Sequence, residues 1–265
     1  MARRPTPSAP PRGPWVWAAI GAGAGLVFAA LVFAPARWLA GPVARATGGH
    51  VVLSDTRGTL WSGSGQLMLS GGEGSSDAVS LPTRLDWRLG LRWNGLAAEV
   101  QSVCCTQTPV TLRLRPRWGG AHLTVGNVQA GVPASLLAGL GTPWNTLQMD
   151  GDLRLSSEDL SVEWVQGRLA IAGRAELTAQ RMSSRLSTLR PMGSYRITVL
   201  GGATPALQLA TLDGALRLEG AGQWVGSRLR FSGTASAAPD SEAALSNLLN
   251  IIGRRSGPRS IITIG

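Results

Sequence analysis

Residues 83–100 read TRLDWRLGLRWNGLAAEV. Leu85, Trp87, Leu89, Leu91 and Trp93 take the odd positions; Arg84, Asp86, Arg88 and Arg92 take even ones. Successive side chains of a strand point to opposite faces, so this period of two predicts a strand with one apolar and one arginine-studded face. Asn94-Gly95 follows, the pair favoured in a two-residue hairpin turn, and Leu96, Ala98 and Val100 alternate again on the return. An antiparallel hairpin with one wet face is the unit from which the fold is expected to be built.

The same grammar recurs outward from it. Gly-x-apolar-x-apolar is found at Gly65–Leu69, Gly151–Leu155, Gly167–Ile171 and Gly214–Leu218, and more loosely at Ser227–Phe231. The spacing is too irregular for a solenoid, and it fits a meander of strands each entered through a turn glycine. With 35 glycines and only 15% charged residues, the composition suits short strands and tight turns better than long solvated helices. Pro133–Leu140 and Ser241–Ile252 read as helical interruptions, the second with a stripe of Ala244, Leu245, Leu248, Leu249 and Ile252 and with Asp240 as its cap. Gly71–Ser76 reads as a loop tip and Ser260–Ile264 as a last strand. The expected fold is mainly β: one N-terminal transmembrane helix, then an extended curved antiparallel sheet with a few short helices, in preference to a closed barrel.

The helix is expected at residues 15–34, where WVWAAIGAGAGLVFAALVFA runs for 20 residues without a charge. At about 1.5 Å per residue it spans about 30 Å, the thickness of a bilayer's hydrocarbon core. Trp15 and Trp17 at one end and Trp38 at the other fit the headgroup interfaces. Arg3, Arg4 and Arg12 precede it, against Arg37 and Arg45 after it, which keeps the N-terminus cytoplasmic and exports the rest. Ala34-Pro35-Ala36 resembles a signal-peptide cleavage site, but the apolar run exceeds the usual ~7–15 residues and a proline sits inside the site. The resulting domains are a tail at 1–14, the helix at 15–34, a linker at 35–50 and a β-rich domain at 51–265. Gly21 and Gly25 form a small-xxx-small surface on which a second helix could pack closely. The surrounding Gly-Ala-Gly-Ala-Gly lies inside the apolar run, so it is not a dinucleotide fingerprint.

The net charge of +10 does not point to nucleic acid. Five of the 25 basic residues, all of them arginine, lie in residues 1–48 where there is no acid, and the remaining 20 face all 15 acids. Nor does the chain offer convergent titratable groups for catalysis. His50 and His122 have no carboxylate or cysteine at ligand spacing. Asp150-Gly-Asp152 lacks a surrounding calcium loop and reads as a turn. No cofactor, metal or catalytic residue is expected. Cys104-Cys105 is the one unusual pair. In an oxidising compartment it is a vicinal disulfide, a cross-link to another chain, or two reduced thiols.

Gly58-Thr59-Leu60-Trp61-Ser62-Gly63 resembles the G-T-L-W-x-G motif that opens the periplasmic domain in the protein N family of the bacterial type II secretion system. The similarity continues through Leu81-Pro82, Leu85-Asp86-Trp87, Leu140–Leu147 (LGTPWNTL), Gly151–Leu155 and Asn247–Arg255, covering nearly the whole exported region. The cysteine pair is not part of that pattern. The resemblance implies a single-pass inner-membrane protein with a periplasmic β domain, no recognised active site, and other inner-membrane secretion subunits as partners, with self-association an open option. A different class of function is also open. A one-sided apolar sheet beside a membrane could hold lipid in a groove, as in AsmA-like envelope proteins, with Leu85, Trp87, Leu89 and Trp93 lining it.

Overall fold

The computed structural model describes residues 15–166, 168–226 and 228–265. The expected tail, 1–14, with Arg3, Arg4 and Arg12, lies outside the described residues, as do Gly167 and Ser227, which open two of the repeats. Helix α1 (Trp15–Val32) buries none of its residues and is long and apolar enough to cross a membrane. The stretch 35–50, expected as a linker, instead holds a second helix, α2 (Arg37–Ala46). Pro42 inside it lacks the N–H of a regular helical residue, which is why the local sequence does not advertise a helix.

The strands are β1 (Val51–Gly58), β2 (Ser62–Ser70), β3 (Ala78–Ser80), β4 (Leu85–Arg92), β5 (Gly95–Ser102), β6 (Val110–Arg117), β7 (Gly120–Val125) and β8 (Val128–Pro133). A 3-10 turn at Ala134–Leu140 and the short α3 (Trp144–Leu147) come next. They lead into β9 (Met149–Val165), β10 (Arg168–Ser184), β11 (Gly193–Leu200), β12 (Ala206–Gly214), β13 (Leu216–Val225) and β14 (Arg228–Ala237). Helix α4 (Glu242–Ile252), β15 (Arg254–Ser256) and β16 (Arg259–Ile264) complete the order. Asp240 does not cap α4 as expected. It sits in a 3-10 turn, Pro239–Ser241, and Ser241 occupies the cap position without a side-chain bond.

All 16 strands of the described residues join one sheet, whose main path runs β1-β2-β4-β5-β6-β7-β9-β10-β11-β12-β13-β14-β16-β15. Among the described residues the terminal strands of that path, β1 and β15, each have one neighbour, so the sheet is open and is neither a barrel nor a sandwich. Neighbouring strands of a sheet are on average rotated by roughly 20–25° relative to one another, and over so many strands that twist accumulates. β9 and β10, 17 residues each, form its spine. Along one edge of β9, β7 pairs with Ser161–Val165 and β8 with Asp152–Ser157.

Register sorts the two faces. Leu91, Leu96, Leu114, Leu123, Val162 and Ile171 stand opposite one another on successive strands from β4 to β10, forming an apolar row six residues wide. The neighbouring row of the other face carries Arg115, His122 and Glu163. Beyond β10 the apolar face is covered. Leu245, Leu248 and Leu249 of α4 pack with Met182, Met192, Tyr195, Leu216 and Ala235 in the main core. A smaller cluster of Leu81, Cys105 and Leu136 lies under the 3-10 turn, and neither cluster includes a residue of β4, β5, β6 or β7.

Tyr195, the chain's single tyrosine, is 5% exposed, and its hydroxyl donates to the Leu216 carbonyl at 3.1 Å. Burial pushes its pKa above the ordinary 10.0. A phenol whose folded pKa is raised contributes stability that is present below the unfolded value near 10.0 and lost as pH rises beyond it. Absorbance at 295 nm is therefore expected to show no phenolate just above pH 10.0 until the sheet unfolds, and then a single cooperative step. Tyr195→Phe leaves a buried carbonyl without its donor and is expected to cost about 1–3 kcal/mol in urea melts.

Candidate functional site: the joint between helix and sheet

The residues 58–63 singled out by sequence stand where the end of α1 meets the first hairpin. Gly58 has φ +86°, a conformation that favours glycine, and turns the chain out of β1. Thr59 and Ser62 close the turn: Thr59 N–H donates to the Ser62 carbonyl at 2.9 Å and Ser62 N–H to Thr59 Oγ1 at 3.1 Å. Gly63 follows in β2, where an added Cβ would stand 2.5 Å from the Arg57 carbonyl oxygen and 2.8 Å from Trp87 Cζ2. The indole of Trp87, 4% exposed, lies over this backbone and donates from Nε1 to the Leu60 carbonyl at 3.1 Å.

The same turn grips the C-terminal end of α1. Trp61 Nε1 donates to the Leu31 carbonyl at 2.8 Å, Leu60 N–H to the Ala34 carbonyl at 2.7 Å, and Ala36 N–H to the Gly58 carbonyl at 3.1 Å. Pro35 and Thr59 form the bridge between them. Ala34-Pro35-Ala36, which resembles a cleavage site in the sequence, is thus the segment that pairs with Gly58–Leu60. Ala34 and Ala36 are each 1% exposed. Nothing in the local sequence marks this pairing; small residues flanking a proline are its only trace.

A second clasp holds β1. Its register shifts between Ser54 and Arg57, and Asp55, at φ +43°, turns its carboxylate to Arg84 at 2.5 Å and Arg57 at 3.2 Å. Arg84 also donates to the Asp55 carbonyl and, at 3.3 Å, to Ser64 Oγ. The Arg84 hydrogen bond, with help from Arg57, holds the Asp55 carboxyl below its ordinary 3.8. A depressed carboxylate contributes stability above 3.8 that is lost as pH falls through the folded value. Asp55→Asn is expected to speed amide exchange at Thr56–Gly58 at neutral pH, with the difference from wild type vanishing in strong acid.

The other singled-out residues do not converge here. An added Cβ at Gly21 or Gly25 on α1 would meet nothing within 4 Å. The sulfurs of Cys104 and Cys105 touch each other in the turn after β5, where Cys105 is 6% exposed against Leu81 and Leu136. His50 Nδ1 lies 3.1 Å from the Ser70 carbonyl. Asp150 accepts from the Gly151 N–H and Asp152 pairs with Arg181 at 2.6 Å. Among the described residues, no three His, Cys, Asp or Glu side chains are grouped to hold a metal ion. A polar cleft of about 450 Å³ beside the joint is lined by Arg57, Asp86, Arg88 and Glu99 among others, charges of both signs in an open trough. The arrangement joins α1 to the first strands of the sheet.

A family model described as type II secretion system (T2SS), protein N, matches residues 49–262. That span begins two residues before β1 and ends within β16, so it takes in nearly all of the sheet. No curated protein and no solved structure matches the chain.

Proposed function

This chain belongs to the type II secretion system protein N family, and from that premise we propose that it is a non-catalytic, single-pass inner-membrane component acting through protein contacts in the periplasm. Involvement in type II secretion follows from family membership. The finer reading rests chiefly on the joint. The turn at 58–63 consumes its polar groups in fastening α1 to β1, β2 and β4, so the sheet is held at a fixed attitude to its anchor. A rigidly mounted open sheet offers strand edges to partners, and edges recruit by main-chain pairing. At the C-terminal edge Ile261 is 40% and Ile264 54% exposed, beside Arg254 and Arg255. Pairing of Ala34–Ala36 with the motif also supports retention of the helix, since cleavage there would cut the joint.

The apolar row Leu91–Ile171, whose members on β4 to β7 belong to neither core cluster, favours lipid carriage as a second reading. The two readings separate on purification. The tagged chain, extracted from native membranes, is expected to bring down inner-membrane secretion subunits, and its deletion to leave secreted proteins in the periplasm. Recovery with phospholipid alone and undiminished secretion would overturn the contact role. In the same preparation, alkylation without reductant is expected to label neither Cys104 nor Cys105, as a vicinal disulfide requires. Labelling of both would mean reduced thiols.

A further inference from the structure

We propose that the hairpin-tip end of β4–β10 is itself a membrane-seating surface, taking anionic phospholipid headgroups of the leaflet from which α1 emerges. The proposal rests on the reading of α1 as a bilayer-spanning anchor. Gly58–Leu60 pair antiparallel with Ala34–Ala36, so β1 runs toward α1 as it approaches its turn. The turn at Trp61 therefore marks the membrane end of the sheet. In a meander every second turn returns to that end, and here these are Trp93-Asn94, Trp118-Gly119 and the turn at Gln166. Ser62 stands opposite Arg88, and Trp93 lies five residues further along. That tip therefore lies on the α1 side of the turn that holds Leu31.

Several large apolar side chains stand exposed together at that end. Trp93 is 97% exposed, Trp118 98%, Leu91 78%, Trp164 60% and Leu114 41%, all at or within four residues of a tip. Isolated exposed apolar residues are ordinary, but a row of them along neighbouring hairpins marks an interaction surface. Tryptophan is the residue that prefers the headgroup interface. Behind Trp93 a hollow of about 200 Å³ is lined by Arg92, Arg113 and Arg115 with Leu96 and Leu114. Among the described residues, none of these three arginines takes part in an ion pair. Forked guanidinium donors without a carboxylate suit a phosphate. Basic groups at an anionic bilayer surface contribute about 1 kcal/mol each.

The test uses the full chain in nanodiscs of phosphatidylcholine, with or without phosphatidylglycerol. A photoreactive phenylalanine replaces Phe28, Trp93, Trp118 or Val103 one at a time. Val103 is 82% exposed in the turn after β5, at the opposite end of the strands, and Phe28 lies in α1. Lipid adducts are expected from 28, 93 and 118 and not from 103. The yield at 93 is expected to rise several-fold with phosphatidylglycerol, and that rise to vanish in the Arg92→Gln, Arg113→Gln, Arg115→Gln variant. Labelling at 28 with 93 and 118 as silent as 103 would overturn the seating surface and leave the anchor standing. Silence at 28 would remove the anchor and the proposal with it. Adducts from 93 or 118 to a second copy would make this end a protein interface instead.

Discussion

Trp87→Ala is expected to lower stability by about 3–5 kcal/mol, the cost of emptying the site of a large buried aromatic side chain. Three contributions combine at this position. The indole is 4% exposed, its Nε1 satisfies the Leu60 carbonyl, and its ring fills the space over Gly63 and Gly65. The loss falls on the joint, so it is not uniform. Amide exchange should accelerate at Leu60 and Leu89, whose N–H groups bond Ala34 and Trp61, before it does in β11–β14. Urea melts in nanodiscs give the global figure and exchange gives its location. Gly63→Val attacks the same contact from the other side and should reproduce the pattern, since its Cβ meets backbone oxygen on one flank and Trp87 on the other.

Leu245→Asp is expected to cost more than about 4 kcal/mol and to unfold the C-terminal half of the sheet. Leu245 is 0% exposed at the centre of the stripe that α4 lays on Met182, Met192, Tyr195, Leu216 and Ala235. A carboxylate there would have neither water nor a partner. Leu245→Ala, which leaves a cavity without a charge, should cost about 2–5 kcal/mol. Limited proteolysis should cut the Asp variant within β11–β16 while β1–β7, which lie outside that cluster, stay protected. Uniform digestion would mean that the sheet unfolds as one cooperative unit.

What could be read from the sequence is what depends on neighbours in the chain. The strand at 85–92 declared itself because its apolar and charged side chains alternate, with Trp87 buried on the apolar face, and α4 because its buried leucines recur at helical spacing. Pro42 hid α2, and the 3-10 turn that absorbs Asp240 left α4 without the side-chain cap its sequence suggested. The joint was visible only as a motif shared with a family. Its physics lies in contacts such as Trp61 to Leu31 and Arg84 to Asp55, between residues far apart in the chain. The row from Leu91 to Ile171 was invisible for the same reason, because each strand shows one member and only register lines them up. In the loop after β5 the adjacent cysteines needed a turn to bring their sulfurs together, and composition gave no sign of one.

The most direct test of the contact role is photo-crosslinking in native membranes from two kinds of position. One set, Arg255 and Ile264, lies on the open C-terminal edge; the other, Leu112 and Val125, lies paired on the apolar face of β6 and β7. Adducts from the edge to inner-membrane secretion subunits, with the inner positions free of lipid, are the result expected of a mounted contact element. Phospholipid adducts from Leu112 and Val125, with no secretion subunit captured at the edge, would contradict it and make the apolar row a lipid track.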